Sequence, residues 1–310
     1  MGGLTQGPAE AGDPAGTVLP LAVLLQGGAS PAAAWRHLAG TGDAVAVRVA
    51  ERQDGGATLV EAIARESDAG EAAWGDVAAA WAVAETVGAP LADTLRSVAA
   101  SLRDAGELRD DVAVALAEPL ASARLMMWLP LLGVVVGVGL GMDPLGVLFT
   151  TPVGIACLVG GLGLTLAARA WTRRLVRAAQ PAPGTPGMHE ELLAVALSGG
   201  VSIRRAREVL AACAEWSGAA SRTTGESQRV LDLSRAAGVP AVELLRASAA
   251  HARHRARTDG RTRGAKLGTR LLLPMAVCTL PAFLLLGVAP LLLSVLTSTP
   301  IPAFAAPAGP

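Results

Sequence analysis

Apolar and polar positions alternate along this chain in long blocks. Two apolar runs, residues 125–141 and 145–168, contain no charged side chain, and only Met142-Asp143-Pro144 separates them. At 1.5 Å per residue the runs make helices of roughly 25 to 36 Å, which bracket a hydrocarbon core of about 30 Å. So short a link predicts an antiparallel membrane hairpin. A third run, 271–296, holds Pro274, Pro281 and Pro290. Prolines break soluble helices, but membrane helices tolerate them because neighbours re-satisfy the freed backbone groups. The pattern predicts three membrane-spanning helices.

The remaining blocks carry helical periodicity. Residues 1–17, rich in Gly, Pro and Ala, read as a disordered lead-in. An apolar helix over 18–26 stops at Gly27-Gly28. Ser30-Pro31 then opens another, with Ser as N-cap and Pro at the first helical position. A short helix is expected around 44–52, and Thr58 with Glu61 has the spacing of a capping box opening 59–66. Trp74, Val77, Ala78, Trp81 and Val83 recur at helical spacing in 71–87. Gly88-Ala89-Pro90 separates that helix from the next, 91–104, and the chain is helical again from Leu108.

The block after the second run repeats this plan. Residues 21–38 align with 193–210 at half of their positions, including Gly-Gly-x-Ser, and 88–100 align with 238–250 through Gly, Pro, Leu, Arg and Ala-Ala. Leu129-Pro130 matches Leu273-Pro274. Such a long-period duplication predicts two copies of one helical bundle, each feeding a membrane helix.

Composition agrees. The chain is 52% hydrophobic and 17% charged, with mean hydropathy +0.45, whereas soluble domains carry about 25% charged residues. The net charge of zero gives no reason to expect nucleic acid. Cys157, Cys213 and Cys278 lack metal or redox spacing and read as small buried hydrophobes. The first twenty residues show no basic region followed by an apolar one, so no cleaved leader is expected. Arg124, the cluster Arg169, Arg173, Arg174 and Arg177, and the cluster Arg261, Arg263, Lys266 and Arg270 flank the runs. Basic flanks stay cytoplasmic. That places the N-terminus and 169–270 inside, and the loop 142–144 and the tail 297–310 outside.

No phosphate loop, nucleophile elbow, zincin pair or dinucleotide fingerprint occurs. His251 and His254 share a helix face, but Arg253, Arg255 and Arg257 surround them and oppose a cation. His189-Glu190-Glu191 reads as a helix start and Gly225-Glu226-Ser227 as a loop. No ionisable residue lies within the three runs, which argues against an ion-coupled carrier. Gly133, Gly137 and Gly141 form a small-residue stripe suited to close helix packing. The basic stretch 253–270 reads as an inside anchor attracted to anionic lipid, or as a dock for an acidic partner.

The twin Gly-Gly-x-Ser elements resemble the type II secretion system F domain. So do the twin Gly-x-Pro-x₄-Leu-Arg elements, the Gly141-Met142-Asp143-Pro144 turn, and Leu280-Pro281-Ala282-Phe283-Leu284-Leu285. That domain belongs to inner-membrane platform proteins of type II secretion, type IV pili and Tad (tight adherence) pili. The resemblance implies an all-α integral membrane protein with two repeated cytoplasmic helical bundles, 18–124 and 169–270, and three transmembrane helices, 125–141, 145–168 and 271–296. It further implies a non-catalytic platform without cofactor or metal that couples a cytoplasmic assembly ATPase to pilin or pseudopilin subunits. A paralogous platform subunit or a second copy, and membrane lipid, are the other expected partners. Gly88, Pro90 and Arg96, with Gly238, Pro240 and Arg246, are expected to shape equivalent corners of the two bundles. A signalling scaffold with helical sensor domains, or a transporter, remains the alternative.

Overall fold

The computed structural model describes residues 13–68, 72–139, 144–179, 184–221, 225–290 and 292–293. Among them there are helices and turns and no strand. The first stretch contains α1 (Pro14–Gln26), α2 (Pro31–Gly40), α3 (Ala44–Asp54), α4 (Leu59–Asp68) and α5 (Ala73–Val87). Then come the long α6 (Leu91–Gly139), α7 (Pro144–Thr150) and α8 (Pro152–Ala179). The second stretch holds α9 (Met188–Ser198), α10 (Ile203–Ala212), α11 (Gly218–Ser221) and α12 (Gly225–Ala237). It ends in α13 (Ala241–Pro274), which continues through a π segment (Met275–Thr279), α14 (Leu280–Phe283) and a second π segment (Leu284–Val288). Pro274 and Pro281 offer no N–H to the ladder, and the wider π turns lie beside them.

Local chemistry places the helix ends. Asp13 caps α1 through Ala15 N and Gly16 N, and Asp43 caps α3 through Ala46 N at 2.8 Å while accepting the Thr17 hydroxyl at 2.7 Å. Thr58 and Glu61 exchange the two bonds of a capping box, at 3.1 and 3.3 Å. Ser30 caps α2 and Ser202 caps α10 in the same way, each accepting from the backbone N–H three residues on. The glycines before them also match: Gly28 and Gly200 take φ of 90° and 80°, open to residues without a Cβ.

The helices sort into two compact units. Unit 1 comprises the described residues up to Asp110 together with those of 181–259. Its core takes side chains from both stretches: Leu21, Trp35, Ile63, Trp74, Trp81 and Leu95 from the first, Met188, Leu192, Leu210, Leu231 and Leu245 from the second. Trp35 lies 6.4 Å, ring centre to ring centre, from both Trp74 and Trp81. The two stretches meet at positions where only glycine fits. A Cβ on Gly199 would lie 2.5 Å from the Val87 carbonyl oxygen, and one on Gly75 would collide with the Trp216 carbonyl.

Unit 2 comprises the described residues of 111–180 and from 260 onward, and its polarity is reversed. Leu125 (74% exposed), Trp128, Leu132, Val135, Phe149 (62%), Val159 (66%), Leu166, Leu273 and Leu280 (60%) all face outward. Soluble proteins rarely carry so continuous an apolar surface; it is what a helix presents to lipid. Inside the unit α8 meets the segment that follows α13, with Gly160 against Leu285 Cδ1 and Gly161 tight against Leu286. The Thr150 and Thr165 hydroxyls donate to carbonyls of their own helices, so these polar groups are satisfied without water. Among the described residues, two helices are long and apolar enough to cross a membrane, Pro152–Ala178 and Ala241–Val288.

Several expectations change. Two bundles over 18–124 and 169–270 were expected, whereas both stretches contribute to one core, because Gly75 and Gly199 let their backbones touch. The lead-in 1–17 gives way to helix from Pro14, where Asp13 provides a cap. The expected break between 104 and 108 is absent from α6, since a lone Gly106 costs only about 1 kcal/mol in a helix. The run 145–168 is not one helix. Thr151 precedes a proline, a position that disfavours helix, and it caps α8 by accepting from Gly154 N at 3.0 Å. Gly225-Glu226-Ser227 is the first turn of α12, not a loop. Residues 1–12, the turn 140–143 with Gly141, and the tail from 294 lie outside the described residues.

Candidate functional site

The expected corner residues occupy matching geometry. Gly88 ends α5 with φ 72°, and Gly238, after α12, has φ 66°. Exposed Pro90 and Pro240 then precede α6 and α13. Three residues into each helix's exposed face an acid pairs with the arginine, Arg96 with Asp93 at 3.0 Å and Arg246 with Glu243 at 3.8 Å. Arg96 also donates to the Gln26 side chain across the turn from α1. Both guanidinium groups are over two-fifths exposed, so they stay open to a partner. Gly133 and Gly137 lie within α6.

A polar seam in unit 1 went unnoticed in the sequence. On α6, Ser97, Ser101, Asp104 and Glu107 recur at helical spacing and face Arg253 and Arg257 of α13. Arg253 Nε lies 3.0 Å from Asp104 Oδ2, and its Nη1 donates to Ser101 Oγ at 3.0 Å. The same guanidinium is 3.7 Å from Glu191, a buried carboxylate of α9 that also accepts the Ser97 hydroxyl at 2.5 Å. Arg257 bridges Asp104, at 2.9 Å, and Glu107. In unit 2 the same two helices are joined by Arg261 and Asp111 at 2.9 Å. The signal was present: Arg253, Arg257 and Arg261 recur every four residues, and serines and acids on α6 every three or four.

Three basic residues nearer the end of α13 have another face. Arg263, Lys266 and Arg270 line a cleft with Leu267 and with Leu175 and Ala178 of α8, all within unit 2. Among the described residues none of these three cations has an ion-pair partner.

Elsewhere buried charge is structural. Glu66 sits in unit 1, almost fully buried, and receives Arg48, at 2.5 Å, and Arg52. Burial pushes its carboxyl upward, but the hydrogen bonds from Arg48 and Arg52 outweigh burial and hold it below the usual carboxylate range. Glu61 is likewise lowered, chiefly by the Thr58 backbone N–H. Burial, then the nearby Glu215 charge, pushes the Cys213 thiol up, the opposite of an activated nucleophile.

No bond chemistry follows from these groups. The Ser217 hydroxyl donates to Asp76 and accepts from Ala219 N and Ala220 N, so it caps α11. His189 Nδ1 contacts the Ala219 carbonyl at 3.0 Å rather than a hydroxyl. His251 Nε2 accepts from Arg255 at 2.9 Å, so one of its two ring nitrogens is engaged by a cation. Among the described residues no three His, Cys, Asp or Glu side chains gather as metal ligands.

The described residues form a helical protein with one unit built around a buried core and one unit whose helices expose apolar side chains. Residues 19–139, from α1 to the end of α6, match one protein family, described as Type II secretion system (T2SS), protein F. Residues 19–139 are thus similar to an F domain, and the proteins of that family are membrane-associated and in general non-catalytic platforms. Comparison with curated proteins finds no match.

Proposed function

We propose that this protein is an inner-membrane platform of a type II secretion or Tad pilus machine, coupling a cytoplasmic ATPase to pilin or pseudopilin movement. The F-domain match carries the reading, because its segment runs from the unit 1 core into the apolar part of α6. Three membrane helices complete the topology: the apolar end of α6, α8 with α7 before it, and α13 with its continuation. The shared core supports that arrangement. Segments that pack on one another stand on one side of the bilayer, so the chain between them crosses an even number of times. The N-terminus and unit 1 are then cytoplasmic and the tail beyond 296 external, as the basic flanks require.

The matching turns at Gly28 and Gly200, and at Gly88 and Gly238, support two copies of one ancestral bundle, here merged around one core. Work done by the ATPase enters through the exposed corners at Arg96 and Arg246. It reaches pilins through the apolar surface of unit 2, with Gly133, Gly137 and Gly141 admitting a close helix, from a second copy or a paralogous platform subunit. The ATP is hydrolysed by the partner.

The test is recovery of the cell's secretion-type ATPase with the intact protein in mild detergent, repeated with Arg96→Glu/Arg246→Glu. Recovery that the double variant loses, at normal protein levels, supports both the coupling and its place. Recovery by both proteins moves the contact off the corners, and recovery by neither removes the coupling.

A further inference from the structure

The basic stretch 253–270 is not one patch. Its first three seam positions are spent internally: Arg253 on Asp104 and Glu191, Arg257 on Asp104 and Glu107, Arg261 on Asp111. Arg263, Lys266 and Arg270 are spaced by three and four residues onto a different face, where they meet α8. The cleft between the helices has a volume of about 80 Å³. Its floor is apolar, formed by Leu175, Ala178 and buried Leu267, and it contains no acidic side chain.

Its level along both helices is fixed by sequence. The charge-free part of α8 ends at Ala168, and that of α13 begins at Leu271. At 1.5 Å per residue, Arg270 lies at the hydrocarbon edge, Leu267 and Lys266 roughly 6 to 8 Å beyond it, and Leu175, Arg263 and Ala178 roughly 10 to 15 Å beyond it. The headgroup layer occupies about 5 to 8 Å on each side of the hydrocarbon. Arg270 and Lys266 beside Leu267 stand at the depth of that layer, with Arg263 at its outer side, and these cations over an apolar floor complement a negatively charged headgroup still attached to its acyl chains.

We infer that this cleft is a binding site for an anionic phospholipid, with Arg263, Lys266 and Arg270 holding its charged headgroup against the apolar surface of Leu175, Ala178 and Leu267. The inference rests on the membrane reading of unit 2 and adds a defined ligand position to it. A lipid wedged between α8 and α13 ties together the two helices that carry the apolar surface. General attraction of basic flanks to the membrane predicts nothing of this kind, because it treats Arg173, Arg174 and Arg177 as equivalent to the cleft cations.

The test reconstitutes the full-length chain into phosphatidylcholine vesicles containing phosphatidylglycerol. Lipid that stays bound after transfer to detergent is then measured by native mass spectrometry. Arg263→Gln/Lys266→Gln/Arg270→Gln is expected to lower phosphatidylglycerol retention at least about 10-fold, while Arg173→Gln/Arg174→Gln/Arg177→Gln retains it. Ala178→Leu, which fills the floor without touching a charge, is expected to lower retention as well. Equal losses in the two triple variants overturn the site in favour of diffuse attraction. Displacement of the lipid by millimolar inorganic phosphate overturns it in favour of a free-anion site. Failure of the wild-type chain to enter vesicles removes the membrane reading and the site together, whereas entry without retained lipid removes the site alone.

Discussion

Arg253 of α13 closes on Asp104 of α6 at 3.0 Å, within reach of the buried Glu191 carboxylate of α9. One guanidinium thus joins the helix that ends the first stretch to two helices of the second. The seam specifies which helices pair more than it adds net energy, since desolvation offsets much of the attraction in a buried ion pair.

Removing the arginine alone is another matter, because Glu191 then stays buried with its charge uncompensated. Arg253→Ala is expected to destabilise by about 2 to 4 kcal/mol, the lower part of the range for broken buried pairs because Asp104 is partly exposed. Arg246→Ala, whose pair with Glu243 is exposed and 3.8 Å long, is expected to cost under about 0.5 kcal/mol. Denaturant unfolding in detergent, followed by Trp fluorescence, compares them, and equal costs would contradict the seam.

Acid should loosen unit 1 through Glu66. Its folded carboxyl titrates below the ordinary value of 4.5, so the folded state binds its proton less readily than the unfolded chain. The stabilisation is complete above that ordinary value and is lost as pH falls through the depressed one. Glu66→Gln is expected to be less stable than the parent at pH 7 and to converge with it towards pH 3. A difference that does not change with pH would refute the linkage.

Two glycines of α8 separate packing from propensity. A Cβ on Gly161 would collide with the branch carbon of Leu286 and stand 2.8 Å from Cδ2, whereas one on Gly163 meets nothing within 4 Å. Gly161→Ala is expected to lower the melting temperature in detergent. Gly163→Ala should leave it unchanged or raise it, because alanine favours helix by up to about 1 kcal/mol. The reverse order would mean that α8 does not pack on the segment after α13 in this register.

Much of this was legible in the sequence, and for local reasons. Ser30, Ser202 and Thr58 with Glu61 announce helix starts by the bonds they offer, and Gly88 marks a left-handed stop. The Trp74–Val77–Ala78–Trp81 spacing marked α5 as a helix, but residues 74–81 are buried on every side, which a stripe at the helix's own period does not announce. The shared core was hidden because it depends on contacts far apart in the chain, Gly199 on Val87 and Gly75 on Trp216, for which no periodicity exists. The seam was hidden for a different reason. Its arginines lie in a run so basic that partners 150 residues away, such as Asp111 for Arg261, were masked by the membrane-anchor reading. At Gly106 a residue usually taken as a breaker sat within a helix that its neighbours sustain.

The most direct measurement places three sites across the bilayer in intact cells, using a chain whose own cysteines, Cys157, Cys213 and Cys278, are replaced. Single cysteines at Arg36 in α2, Arg204 in α10 and Ala306 in the tail are then tested with a membrane-impermeant thiol reagent. The account predicts that the cysteines at 36 and 204 react only after the membrane is opened and that the one at 306 reacts without opening. Cysteines at 36 and 204 reacting from opposite sides would contradict it, because the two stretches that build one core cannot then share a compartment.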